Sequence, residues 1–313
     1  MGCGDPEEFE TRRDFLTQAA GLATGLGLAP AAHGPRAPLL PTIKLGKHEV
    51  TRLILGANPI YGYSHFNRML SAHQTDWHTP DRVMALLKRA EAVGINTWQN
   101  SYHERSVADL ERYRGEGGTI QWLCLGKGDW DKFPERVDEA ARRRPLGIAP
   151  HGSLAERCHR EGKLDVLTDL LKRIRQAGVL VGLSAHNPAL IELSEEKGWD
   201  VDYYMTCLYY LTRPRAEFQK ILGGDLPLGE IYLPSDPPRM LAAMRAAKKP
   251  CLMYKVLAAG RRIDSPAEIR RCFQSALGGA KPTDAMIVGM YNPFGDQLAD
   301  NAAIVRELLG APK

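Results

Sequence analysis

Short apolar runs recur along this chain, and nearly every one leads into a polar residue. Leu53 to Gly56 leads to Asn58, Ile95 to Trp98 to Gln99 and Tyr102, and Trp122 to Gly126 to Lys127. Leu146 to Ala149 stops at His151, Val179 to Leu183 at Ser184 and His186, and Tyr203 to Cys207 at Tyr209. Leu252 to Tyr254 stops at Lys255, and Met286 to Val288 at Gly289. Continuous apolar runs of this length, bounded by helices, predict buried parallel strands. Helical periodicity fills the intervals. Thr79 and Pro80 open a segment in which Val83, Leu86, Leu87, Ala90 and Val93 recur at helical spacing, and Gly94 stops it. Leu164, Leu167, Leu170, Leu171, Ile174 and Ala177 repeat the pattern. Alternation of this kind predicts an α/β protein, a (β/α)8 TIM barrel of parallel strands with all strand carboxyl ends on one face. Thr42 to Val50 reads as a small hairpin before the first barrel strand.

Two connections stand out for length. Pro59 to Trp77 carries Tyr61, Tyr63, His65 and His73, and Tyr209 to Ser235 carries Leu226-Pro227-Leu228-Gly229. Long loops on the site face of a barrel read as lids or substrate walls.

The chain has 313 residues, enough for one large core. Hydrophobic content of 44% and charged content of 25% are ordinary for a globular protein. The net charge of +4 is spread over helices without a basic stripe, which argues against a nucleic-acid partner. None of the six cysteines forms a C-x-x-C pair, and Cys124, Cys207 and Cys251 lie inside strand runs, as buried small hydrophobes do.

The first residues read differently. Arg12-Arg13, then Phe15-Leu16, precede a Gly/Ala-rich apolar stretch and the small-residue site Ala29-Pro30-Ala31. This resembles a bacterial twin-arginine export signal, which implies the Tat machinery as partner and a periplasmic or extracytoplasmic location. The stretch is too short for a stable membrane span. The expected organisation is a signal at residues 1–31, a linker at 32–41 and the barrel at 42–313.

Over roughly residues 42 to 309 the chain resembles the aldo/keto reductase superfamily of (β/α)8 barrels. The likeness lies in Leu45-Gly46 with Val50 to Leu53, in Gly94-Ile95-Asn96, in Glu161 to Leu164 and in Gly182-Leu183-Ser184. It continues through Lys255 to Arg261 and Val288-Gly289 with Gln297 and Asn301. The resemblance implies carbonyl reduction with NADP. By position it implies Tyr102 as proton donor, Lys127 as the lysine that tunes it and His151 as the histidine, with Gln99 where the family has aspartate. A tyrosine of pKa near 10 is a poor acid at neutral pH unless a nearby cation lowers it. The cofactor is expected along Ser184, Tyr254, Lys255, Leu257, Gly260, Gly289, Gln297 and Asn301. Asn58 and His186 are expected to face a carbonyl or sugar substrate. The chain departs from the family at Ala185, at Met205 where glutamine is usual, and around Tyr291-Asn292, which lacks the basic residue that grips the ribose phosphate.

The polar strand ends leave two other readings open. One is a sugar-processing lyase, isomerase or hydrolase, either with a metal held by His151 and His186 together with Glu104 or Asn58, or with His151 and Lys255 as acid and base. The other is a sugar-binding protein without catalysis. His48, His73, His78 and His159 do not end strand runs and read as structural.

Overall fold

The computed structural model describes residues 37–310; the export signal expected at residues 1–31 lies outside them. An antiparallel hairpin, β1 (Thr42–Leu45) and β2 (His48–Thr51), comes first. Eight parallel strands follow: β3 (Leu53–Gly56), β4 (Thr97–Ser101), β5 (Gln121–Leu125), β6 (Gly147–Ala149), β7 (Leu180–Ala185), β8 (Tyr203–Cys207), β9 (Cys251–Tyr254) and β10 (Ala285–Gly289). They pair in sequence order, and β10 closes the ring against β3. The fold is a (β/α)8 TIM barrel, as the alternation predicts.

Side chains along each strand alternate between two environments, as strand geometry requires. Outward positions such as Leu53, Leu55, Trp98, Val181 and Met286 join the helix-facing core. Inward positions such as Ile54, Leu123, Ala149, Met205, Leu252 and Ile287 fill the barrel interior. Ile43, Leu45 and Val50 of the hairpin pack with that interior set. Asn96, just before β4, fixes the hairpin: its Oδ1 accepts the Thr51 N–H (3.0 Å) and its Nδ2 donates to the Glu49 carbonyl (2.9 Å). The described part of the expected linker also packs here, with the Leu40 N–H on the Gly94 carbonyl and the Leu40 side chain buried.

Each of the two long loops contains a helix. The first long loop contains α1 (Arg68–Trp77), capped by Asn67, and precedes α2 (Pro80–Ala92). The order continues with α3 (Glu104–Gly115), α4 (Arg136–Ala141), α5 (Gly152–Arg160), α6 (Leu164–Gln176) and α7 (Pro188–Lys197). The second long loop contains α8 (Arg215–Leu222), followed by α9 (Asp236–Ala246), α10 (Pro266–Gly279) and α11 (Gln297–Leu309). Of its own residues α1 buries only Gln74 and α8 only Phe218. α8 nonetheless carries Phe218, Ile221 and Leu222 at helical spacing, with Ile221 and Leu222 left exposed. Cys124, Cys158, Cys207, Cys251 and Cys272 are buried free thiols. Among the described residues no helix is long and apolar enough to cross a membrane.

Candidate active site

The carboxyl ends of the strands surround a cleft of about 890 Å³. That volume lies near the upper end of the usual range for small-molecule sites. Strand alternation decides which side chains reach it. Gln99, Lys127, His151, Ser184, His186 and Tyr254 continue the inward rows of β4, β5, β6, β7 and β9, and all line the cleft. Asn58, Lys255, Leu257, Gly260, Gly289 and Gln297 line it as well.

Tyr102 does not join them. It follows β4 in the same row as Trp98, which faces the helix layer. Its ring packs edge-on against Trp130 at 5.6 Å between centroids. Its hydroxyl lies 3.4 Å from Glu139 and 3.3 Å from Arg143, both in the helix layer. Burial, only partly offset by Arg143, pushes the phenol above its ordinary pKa, the opposite of what a proton donor needs. The role implied by the resemblance is therefore corrected, and the cause is register: one residue along a strand reverses the face. Tyr102→Phe is expected to leave turnover within about threefold of wild type, measured at saturating substrate. Asn301 is also displaced, buried within α11 rather than lining the cleft. Glu104, in the first turn of α3, lines a neighbouring cleft, so the ligand set His151–His186–Glu104 is not assembled.

The two histidines are held in complementary states. His151 caps α5: its Nδ1 accepts the Ser153 N–H at 3.1 Å, with the Ser153 hydroxyl at 2.7 Å. Nδ1 is thus an acceptor, and the neutral ring carries its proton on Nε2. Burial, and then the adjacent His186, push the His151 pKa down to about 4. His186 is fixed the other way by Glu156, a residue the sequence reading missed. Glu156 Oε1 accepts the backbone N–H groups of His186 and of Asn187, the latter at 2.7 Å. Its Oε2 lies 3.3 Å from His186 Nδ1. Burial alone would raise the Glu156 carboxyl, but hydrogen bonds, first that of His186 and then those of Thr212 and Asn187, hold it below the usual range. A carboxylate only accepts, so Nδ1 of His186 carries a proton, and Nε2 is the nitrogen left to exchange one with a ligand. The ring centroids of the two histidines are 6.5 Å apart. One strand end thus offers an N–H donor, and the next offers a proton acceptor braced by a carboxylate.

Opposite them the two long loops meet. Lys255 Nζ donates to His65 Nε2 at 2.9 Å, and His65 Nδ1–H donates to Glu230 at 2.8 Å. Asn58 Nδ2 lies 3.1 Å from the same His65 nitrogen. Burial lowers the Lys255 pKa. Burial opposes ionisation of Glu230, yet hydrogen bonds from His65 and Tyr232 hold its carboxyl at about 2. Arg261 donates to the His65 carbonyl at 2.9 Å and lies over the rings of Phe66 and Tyr232. His65 and Glu230 were also not singled out from sequence, where they read only as parts of loops.

Beyond β9 the backbone takes a turn that few L-residues adopt: Lys255, Ala258 and Ala259 have φ of 59°, 48° and 50°. Each such residue costs about 1–3 kcal/mol, a strain that accumulates at ligand sites. Within this turn the N–H groups of Val256 and Leu257 donate to no group among the described residues, and both residues line the cleft. Unpaired successive amides suit an anion. The Tyr254 ring stands edge-on to His186 at 5.7 Å, and its hydroxyl lies 3.4 Å from Ser184.

In comparisons with known proteins the chain matches no family model. It matches no curated protein either. Among solved structures it is similar to Gox0644 in its apo form, with 14% identity over 89% of this chain and 95% of that chain and a TM-score of 0.49. It is similar to a truncated 3-deoxy-D-arabino-heptulosonate 7-phosphate synthase from Thermotoga maritima, with 12% identity over 87% and 92% and a TM-score of 0.49. A xylose isomerase-like TIM barrel protein from Mycobacterium smegmatis, in complex with magnesium, shares 10% identity over 74% and 89%, with a TM-score of 0.42.

Proposed function

We propose that this protein is an exported oxidoreductase acting at a carbonyl or carbinol carbon of a sugar-like substrate, with a nicotinamide dinucleotide as cofactor. The observation that carries the reading is the complementary pair His151 and His186 at adjacent strand ends. His151 Nε2–H donates to the substrate oxygen and polarises a carbonyl. His186 Nε2, braced by Glu156, takes or returns the hydroxyl proton. Lys127, exposed at the mouth, adds positive charge where oxygen becomes negative. The cofactor, when bound, supplies or accepts hydride. Val256 and Leu257 would hold its phosphates, Tyr254 and Ser184 its ring end. Export rests on the Arg12-Arg13 motif with Ala29-Pro30-Ala31.

The test is a thermal-shift titration with NADPH and NADH. At a hundredfold its dissociation constant, a bound cofactor stabilises by about 2.7 kcal/mol. For a domain of this size that raises Tm by roughly 5–10 °C. Absence of any shift at millimolar concentration of either nucleotide removes the oxidoreductase. The same donor and acceptor pair then favours a second reading, a cofactor-independent sugar isomerase. An isomerase needs one group to polarise the carbonyl and one to move the neighbouring proton, and a turnover assay without nucleotide would detect it.

A further inference from the structure

Beside the mouth lies a second cleft, of about 660 Å³, between the start of α3 and the loop from β5 to α4. Lys127 and Asp129 line both clefts, so the two adjoin at these residues. We propose that the second cleft is a subsite for a further sugar ring, so that the protein takes a neutral linked sugar, a disaccharide or glycoside, rather than a single ring. This deepens the reading of the mouth as a sugar-carbonyl site and rests on it.

Three observations carry the proposal. Phe133 lines the second cleft with 46% of its surface exposed, an open aromatic face of the kind that packs against the C–H face of a sugar ring. Two pairs of opposite charge lie around it. Arg136 bonds Glu139 at 2.7 Å and Arg143 bonds Glu111 at 3.0 Å. The Tyr102 hydroxyl sits between Glu139 and Arg143. Paired ions give little net field to attract an anion, but they set donors and acceptors side by side, as neighbouring hydroxyl groups require. Lys127, at the junction, has no hydrogen-bond or ion-pair partner among the described residues, so its three donors are open to a ligand that spans both clefts. Tyr102, turned away from the mouth, is then a wall of this subsite.

The test is calorimetric titration of the full chain, without nucleotide, with glucose, galactose and xylose and with cellobiose, lactose and xylobiose. At least one linked sugar is expected to bind about tenfold or more tightly than its single ring. Phe133→Ala, a change at an exposed position, is expected to bring the two within about twofold while leaving single-ring affinity and the NADPH shift unchanged. Arg136→Ala is expected to reduce the same preference. Linked sugars that bind no tighter than single ones overturn the proposal, as does a Phe133→Ala variant that weakens both alike. A linked-sugar preference without any NADPH shift removes the oxidoreductase and keeps the subsite. An NADPH shift without that preference does the reverse.

Discussion

Glu156→Gln is expected to give a folded protein whose turnover is lower by about 10²–10⁴. The glutamine keeps one oxygen for the backbone N–H groups of His186 and Asn187, which Glu156 Oε1 now serves. Its amide nitrogen, however, is a donor and would face Nδ1 of His186, which itself donates to Oε2 in the wild type. One of the two must yield. The imidazole does so by moving its proton to Nε2, and the base at the mouth is lost. Glu156→Ala is a harsher change. It strands three donors around a buried gap and is expected to cost about 3–5 kcal/mol. For a domain of this size that lowers Tm by roughly 6–20 °C. Calorimetry and steady-state kinetics on the two variants separate positioning from folding. A Glu156→Gln enzyme of normal turnover would remove His186 from the mechanism.

His151→Ala is expected to lower turnover by about 10²–10³, the usual cost of deleting one donor to a developing oxyanion. The loss should fall on turnover more than on KM, since the bond strengthens as the oxygen gains charge. The same residue gives a pH signature. Its folded pKa, about 4, lies below the value of 6.5 expected in the unfolded chain. Between those values the unfolded state binds more protons, so stability falls as pH drops from about 6.5 toward 4. His103, whose pKa burial and the Lys127 charge also push down to about 4, adds to the same trend. Denaturant titrations across this window should show a shallower slope for His151→Ala than for wild type. Equal slopes would mean that His151 is not held neutral by the fold.

The fold was legible because a barrel repeats one pattern eight times. Apolar runs and capped helices are local, and closure follows from their number and order. The site was legible only where a chemical residue continues an inward row. Lys127 lies two residues past Leu125, and His151 two past Ala149, so each keeps the inward face. Tyr102 lies one residue past Ser101 and takes the other face. Parity was available in the sequence, but the resemblance drew attention to residue type and rough position instead. Glu156 carries no such signal. It lies on α5, and its bond partners are 30 and 31 residues downstream. His65 and Glu230 come together only because two loops, separated by 165 residues, fold over the same mouth. Pairings of that kind belong to the tertiary structure and leave no periodic trace.

The β1–β2 hairpin has a kinetic consequence. By filling the floor of the barrel with Ile43, Leu45 and Val50, it leaves the strand carboxyl ends as the route to the chemistry. Everything that reacts there must arrive and depart through a single doorway.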